Sequence, residues 1–316
     1  MKRPQTLALA LAVLVAGACG AVDPSPSPAG SAVVPPSPGA PAPSPSASGT
    51  ATAGPVPIVF DTDMGMDDLL ALYVILRDPT LDVRAIAIDG TGLIHCGAGI
   101  RNMRRILGAF DRLDIPFGCG REKPGPNGRS FPDEWRERSD DMYGVTLPPV
   151  VASEFPPDAV TILHDALGTS AEPVTVLAVG PWTNLQDLFA AHPDDLSRVA
   201  GIHTMAGTID DPGNIELDGT TPADKVEWNV GADPDAFAAV MAQDVAVTLV
   251  PLDATNDVAT PADIVQILDA DHAAAGADIA FETYARSPSL YGEGNYWWDS
   301  TAAVSSRTRG SSPGRT

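Results

Sequence analysis

The feature that most constrains this chain is the stretch over residues 57–72, PIVFDTDMGMDDLLAL. An apolar run typical of a β-strand leads into four aspartates within eight residues and then into an apolar segment with helical spacing. In α/β proteins, functional groups collect where parallel strands end at the carboxyl edge of the sheet. The pattern strand, acidic turn, helix therefore predicts a functional site at this turn.

The aspartates of this turn suggest a cation. Asp63, Asp67 and Asp68 can converge only if something offsets their repulsion, and calcium takes about 6–8 oxygen ligands, many of them carboxylates. The alternative is ordinary helix capping, because aspartates in a first turn complement the helix dipole. One or two aspartates suffice for capping, however, and this turn has four.

The rest of the chain alternates predicted strands and helices. Strands are predicted over residues 81–88, 115–117, 174–179, 199–205 and 245–252, with helical segments between them and a functional loop over residues 118–145. This alternation predicts βαβ units, and hence an α/β fold with a mostly parallel, Rossmann-like open sheet flanked by helices. Polar or glycine-rich residues follow each predicted strand, so we expect a single pocket at the carboxyl ends of the strands.

The amino-terminal part predicts export. In residues 1–19, Lys2 and Arg3 precede a short apolar run and small residues before Cys19, as in a signal peptide, and the run is too short to span a bilayer. Two outcomes stay open: lipidation of Cys19, which would attach the protein to a bacterial membrane, or ordinary cleavage. Residues 20–55 are rich in Pro, Ser, Ala and Gly and predict a disordered linker.

We therefore expect a catalytic domain over residues 56–304, exported to the cell surface or the extracellular space. Residues 305–316 form a Ser-, Arg- and Gly-rich tail without an apolar pattern. The net charge of −22 argues against a nucleic-acid polymer as partner, because phosphate binding needs clustered Lys and Arg. Cys96 and Cys119 pair only if the fold brings them together.

Motifs in a characteristic order carry a resemblance to a known family. They are DTDMGMDD at 61–68, GPWTN at 180–184, Gly213-Asn214 followed by Glu227-Trp228-Asn229, and WDSTAA at 298–303. The chain resembles the inosine/uridine-type nucleoside hydrolases, which cleave the N-glycosidic bond of ribonucleosides with bound calcium. Met64 stands where proline is usual in that family. Its members usually continue with a strand and a helix beyond the last of these motifs, so the resemblance implies a truncated or replaced carboxyl end.

The resemblance implies a role for each matching residue. It implies that Ca²⁺ is bound by Asp63, Asp68, Asp299 and the backbone carbonyl of Val179, and that Asp63 is also the general base. Ribose would be held by Asp67, Asn214, Glu227 and Asn229, with Asp61 supporting the site from behind. Small-molecule nucleosides are the implied partners, and homo-oligomers are usual in the family.

Two departures bear on specificity. Trp298 stands where many members have a histidine, which resembles the purine-preferring branch, whose tryptophans stack on the base. Trp135 is the candidate for a second stacking face, although simple packing would also explain it. Thr91 stands where a ribose-contacting asparagine is common, so that contact is in question.

Two other functions remain as alternatives. The first is a tethered protein that binds nucleoside or calcium without turnover. The second is a phosphatase of the haloacid-dehalogenase type, since Asp61 and Asp63 fit a nucleophile followed by an acid. That mechanism usually needs a Thr or Val shortly after the second aspartate and a downstream lysine, and only Lys123 and Lys225 are available.

Overall fold

The computed structural model describes residues 54–149, 156–215, 226–270, 276–288, 292 and 294–307. The predicted signal peptide, nearly all of the linker and most of the carboxyl-terminal tail lie outside these residues. In the described part of the chain, no helix combines the length and the apolar character that a membrane crossing requires.

A six-stranded sheet forms the centre of the domain. Its strands are β1 (Val56–Thr62), β2 (Leu81–Ile88), β3 (Phe117–Cys119), β4 (Val174–Ala178), β5 (Val199–Met205) and β6 (Val247–Val250). Their spatial order is β3-β2-β1-β4-β5-β6, and every neighbouring pair is parallel. This order is the one found in Rossmann folds, so the predicted fold class is confirmed.

Helices cover both faces of the sheet. One face packs against α1 (Met66–Arg77), α2 (Cys96–Ala109), α10 (Ala277–Arg286) and α11 (Trp298–Ser305). The other packs against α4 (Ala159–Thr169), α5 (Thr183–Ala191) and α7 (Pro234–Met241). The shorter helices are α3 (Asp133–Asp140), α6 (Trp228–Ala232), α8 (Leu252–Thr255) and α9 (Ile264–Asp269), with 3-10 turns at Met142–Gly144 and Pro193–Arg198.

The apolar run of β1 follows from this burial on both faces. Ile58 and Phe60 point into the core under α1 and α2, whereas Val59 points into the core under α4 and α5. All three side chains have no solvent exposure. A strand covered on both sides needs continuous rather than alternating hydrophobicity, which is what the sequence shows.

Several features differ from the sequence prediction: β4 ends at Ala178 rather than at residue 179, and β6 covers Val247–Val250 rather than residues 245–252. The third strand is Phe117–Cys119 rather than residues 115–117, because Pro116 has no N–H to donate to the ladder. The long segment after it, interpreted as a functional loop, contains the helix α3. At the carboxyl end, α11 continues to Ser305 and Ser306 is fully buried, so the packed domain extends beyond residue 304.

Cys96 and Cys119 form a disulfide, which settles the pairing that the sequence left open. The bond joins the start of α2 to the end of β3, and the Cα atoms are 5.6 Å apart. Because a crosslink over this separation restricts the unfolded chain, we expect the double substitution Cys96→Ser, Cys119→Ser to lower the unfolding free energy by about 3 kcal/mol. Urea unfolding of the oxidised protein and the variant measures this. An unchanged midpoint would contradict it.

Candidate active site

The candidate site lies at the topological switch point of the sheet. After β1 the chain builds β2 and β3 on one side, then returns to place β4 on the other side of β1. The loops that follow β1 and β4 therefore diverge and leave a crevice between them, the usual ligand site of such sheets. A cavity of about 540 Å³ opens here.

The cavity gathers residues from distant parts of the sequence. Every residue predicted to bind metal or substrate lines it: Asp63, Asp67, Asp68, Trp135, Val179, Asn214, Glu227, Asn229, Trp298 and Asp299. Asp61, predicted to support the site, lies outside this lining and is completely buried.

The acidic turn adopts a conformation that proline could not adopt. The φ angle of Met64 is +58°, in the left-handed region, whereas the ring of proline fixes φ near −65°. The Met64 N–H donates to Thr62 Oγ1 at 3.0 Å, and the Thr62 hydroxyl donates in turn to Asp68. The proline that is usual at position 64 in the family that the chain resembles could not adopt this turn, whereas Met64 does.

Two glycines make room for Asp63. A Cβ on Gly92 would lie 2.1 Å from Asp63 Oδ2, and one on Gly180 would lie 2.9 Å from the Asp63 nitrogen. Asp63 Oδ2 also accepts a hydrogen bond of 3.0 Å from the N–H of Leu93. The carboxylate is thus fixed between the loops that follow β2 and β4.

The carboxyl groups form a cluster at one end of the cavity. Oxygens of Asp67, Asp68 and Asp299 lie within 4.8 Å of one another. Asp299 reaches this position because it lies in the first turn of α11, which packs against α1. Asp63 is outside this three-membered group but hydrogen-bonds with Asp68. Asp67, interpreted from the sequence as a ribose ligand, is therefore also placed to bind a cation.

The carboxyl groups of this cluster have raised pKa values. Burial, followed by the charge of Asp68, raises the pKa of Asp67 to about 7. Burial and the neighbouring carboxylates raise the pKa of Asp63 and that of Asp299 well above the ordinary value, and burial also raises the pKa of Asp68. Like charges held together in a dry site favour protonation unless a cation is present.

Behind the cavity lies a polar layer. Asn184 donates to Asp61 at 2.7 Å, and burial raises the pKa of Asp61 well above its usual range. Thr91 donates to Asp89 at 2.6 Å and hydrogen-bonds with Thr183 at 2.8 Å. Thr91 is buried and does not line the cavity, so it does not replace the asparagine contact.

One wall of the cavity is built from amide and carboxyl side chains that backbone contacts hold in place. Glu227 caps α6, accepting from the N–H groups of Asn229 at 2.8 Å and Val230 at 3.1 Å. Asn214 accepts from the Trp228 N–H at 3.0 Å. The Asn229 amide donates to the Val179 carbonyl at 3.0 Å, which leaves that oxygen a second lone pair for another ligand.

Aromatic side chains also line the cavity, and not all of them were predicted. Phe131 and Trp228 stack with ring centroids 4.5 Å apart, and Trp135 lies 5.4 Å from Trp228. Trp135 is 40% exposed, so it lies at the cavity mouth rather than in the core. Trp298 faces the cavity and donates to Asn256 at 3.3 Å. The EWN motif contained Trp228, but no sequence signal singled out Phe131.

Helix α3, which carries Trp135, is fixed by long-range contacts. Arg136 is buried and donates to the carbonyls of Gly90 at 2.9 Å and Ile94 at 3.2 Å. Ser139 donates to the Met64 carbonyl at 3.1 Å. The helix is therefore docked onto the loops after β1 and β2, and it presents its side chains to the cavity in defined positions.

A second cluster of polar side chains lies elsewhere. His164 in α4, His192 at the end of α5 and Asp195 in the following 3-10 turn have ligand atoms within 4.8 Å of one another. The two imidazoles are stacked, with centroids 3.9 Å apart and planes at 15°. Nearly parallel rings do not direct their in-plane lone pairs at one ion, and His164 Nδ1 is already hydrogen-bonded with Asp195 at 2.7 Å.

Comparisons with known proteins agree on one family. A family model described as inosine-uridine preferring nucleoside hydrolase matches residues 58–308. Pyrimidine-specific ribonucleoside hydrolase RihA of Escherichia coli is 33% identical over 201 residues, which are 64% of this chain and 61% of RihA. The chain thus spans about three fifths of the length of the curated relatives it matches.

Solved structures of this kind share the fold. An inosine-uridine preferring nucleoside hydrolase of Bacillus anthracis superposes with a TM-score of 0.65 at 24% identity, covering 79% of this chain and 80% of its own. An inosine-guanosine nucleoside hydrolase gives 0.66 at 22% identity, with coverage of 79% and 78%. A purine-preferring ribonucleoside hydrolase of Gardnerella vaginalis gives 0.62 at 20% identity, with coverage of 79% of both chains.

Proposed function

Because the chain belongs to the inosine-uridine preferring nucleoside hydrolase family, we propose that it hydrolyses the N-glycosidic bond of ribonucleosides to ribose and free base. The observation that carries this proposal is the position of the carboxylate cluster opposite hydroxyl-binding side chains in one cavity at the switch point of the sheet. Family membership also speaks against the phosphatase alternative.

We propose Ca²⁺ as the cofactor of this site. The available donors, which are the carboxylates of Asp63, Asp68 and Asp299 and the carbonyl of Val179, are all oxygens and suit a hard cation. The raised carboxyl pKa values support the same conclusion, since the cluster lacks a compensating charge of its own. When bound, such an ion makes a coordinated water more acidic.

The protein's own residues supply the other parts of the mechanism. Asp63, whose Oδ2 accepts a hydrogen bond from the Leu93 N–H, takes the proton of the attacking water. Asn214, Glu227 and Asn229 orient the ribose hydroxyls. The carboxylates near the sugar stabilise the positive charge that develops in an oxocarbenium-like transition state.

We propose a preference for purine nucleosides. Support comes from the aromatic side chains that line the cavity, Trp135, Trp228 and Trp298, which suit a bicyclic base. Pyrimidine nucleosides are the second candidate, because the curated relative RihA is described as pyrimidine-specific.

A hydrolysis panel tests the function. Full-length protein is assayed for base release from inosine, guanosine, adenosine, uridine and cytidine, before and after chelation and after calcium is restored. We expect release of purine bases that chelation abolishes and calcium recovers. Tight nucleoside binding without release would favour the non-catalytic alternative, and chelator-resistant turnover would overturn the cofactor proposal.

We further propose that the protein is exported. The disulfide supports this, because such bonds persist in oxidising compartments. Cell fractionation of the full chain beside Cys19→Ala distinguishes lipid anchoring from ordinary cleavage. Recovery of the wild-type protein in the cytosol would refute export. The expected homo-oligomer stays a prediction.

A further inference from the structure

One cationic side chain lines the otherwise acidic cavity. Arg138 lies in the last turn of α3, and among the described residues no other Lys, Arg or His contributes to the lining. The described part of the chain offers its guanidinium no hydrogen bond or ion pair. Arg138 is exposed, and in a protein with net charge −22 it leaves a positive charge at this acidic cavity available to a ligand.

The position of Arg138 relative to the sugar is set by the helix that carries it. Arg138 follows Trp135 by three residues, so the two side chains are neighbours on one face of α3, and both line the cavity. Arg136 and Ser139 fix this helix to the loops after β2 and β1. Arg138 therefore lies beside Trp135, the side chain proposed to stack on the base, in the same cavity.

The departure of the base has a requirement that the other residues leave unmet. When the bond between C1′ and the base nitrogen breaks, both bonding electrons stay on the base, water oxygen bonds to C1′, and the water proton goes to Asp63. The departing base carries negative charge until solvent protonates it. No histidine of the described residues lines the cavity, and Trp298 occupies the position where relatives often have one.

We propose that Arg138 binds the O6 and N7 edge of a 6-oxopurine and stabilises the negative charge on the departing base. A guanidinium is permanently charged and presents paired donors that match these two acceptors, as arginine does when it recognises guanine. Adenine presents an amino donor in place of O6 and loses half of this contact. The inference rests on the proposed function and names its substrate class: inosine and guanosine.

The test compares substrates that differ in how much help the leaving group needs. Arg138→Met, Arg138→Lys and the matched surface variant Arg101→Met are assayed on inosine, guanosine, adenosine and p-nitrophenyl β-D-ribofuranoside, whose leaving group needs no stabilisation. For Arg138→Met we expect kcat/KM to fall about 10- to 100-fold on the 6-oxopurine nucleosides, the size of one bidentate base contact. Adenosine, which keeps half of the contact, should fall only about 3- to 10-fold, and the nitrophenyl riboside should not change. Arg138→Lys should be intermediate, because lysine keeps the charge but not the paired donors of the guanidinium.

Several results would overturn the proposal. Equal losses on all four substrates would indicate a structural role, and unchanged inosine hydrolysis would show that Arg138 does not touch the base. Equilibrium binding of hypoxanthine and adenine to wild type and Arg138→Met gives a readout that does not depend on turnover. If wild type hydrolyses no substrate, the proposed function fails, and loss of hypoxanthine binding alone still decides the role of Arg138.

Discussion

Asp63→Ala is expected to lower kcat for nucleoside hydrolysis by about 10³- to 10⁴-fold, while the protein stays folded. A positioned general base contributes about 10²- to 10⁴-fold, and Asp63 is also proposed to bind the cation. Folding should survive, because the substitution removes a carboxyl whose pKa is raised by burial and by neighbouring carboxylates. Steady-state kinetics at saturating nucleoside and thermal unfolding measure the two effects separately.

Two control variants separate the loss of the proton acceptor from a change in the shape of the site. Asp63→Asn keeps the volume and one acceptor oxygen next to the Leu93 N–H but cannot take a proton, so it should lose nearly as much activity as alanine. Asp114→Asn, on the surface beside Arg112, should be indistinguishable from wild type. If Asp63→Ala kept more than a tenth of wild-type kcat, the assignment of the general base would be wrong.

Much of the fold was accessible from sequence because the signals are local. The strands β2 and β5 are rich in apolar residues and are bounded by polar or glycine-rich ones, and both were predicted with the bounds that the structure shows. The strand β3 was misplaced because only three residues pair and Pro116 obscures where pairing begins. Strand order is a property of tertiary packing, so only the parallel arrangement could be expected from the alternating pattern.

The residues of the candidate site likewise include some that the sequence predicted and some that it did not. Asp68 and Glu227 were predicted because each belongs to a recognisable sequence motif. The structure brings both into one cavity. Phe131 and Arg138 were missed, since the segment around α3 has no motif or strong period. What places Arg138 is the docking of α3 through Arg136 and Ser139, whose partners lie more than 40 residues away in sequence.

The metal-free protein is expected to lose stability as pH rises from about 4 through 7. The folded-state pKa of Asp67 is raised from its ordinary value to about 7, as is that of Asp89, so the folded state holds their protons more tightly than the unfolded state does. The stability that this provides is fully present below the unfolded pKa and is lost as pH rises through the folded pKa. Unfolding free energies measured at pH 5 and pH 8 give the size of this loss. We expect several kcal/mol, which corresponds to pKa differences on the order of one to a few units between the folded and unfolded states.

Calcium should counteract this loss more strongly at high pH, because the ion binds deprotonated carboxylates and stabilises only the folded state. We expect the rise in Tm on adding calcium to be larger at pH 8 than at pH 5, and Asp68→Asn to reduce it at both. Asp89 lies outside the cavity, so its share of the pH dependence should persist with calcium bound. The pKa values of Asp78 and Asp158 are lowered, so these two groups make stability rise with pH in more acidic solution. Measurements above pH 5 leave out this opposite contribution. A calcium effect of equal size at both pH values would mean that the ion does not bind the carboxylate cluster, and the cofactor proposal would lose its electrostatic basis.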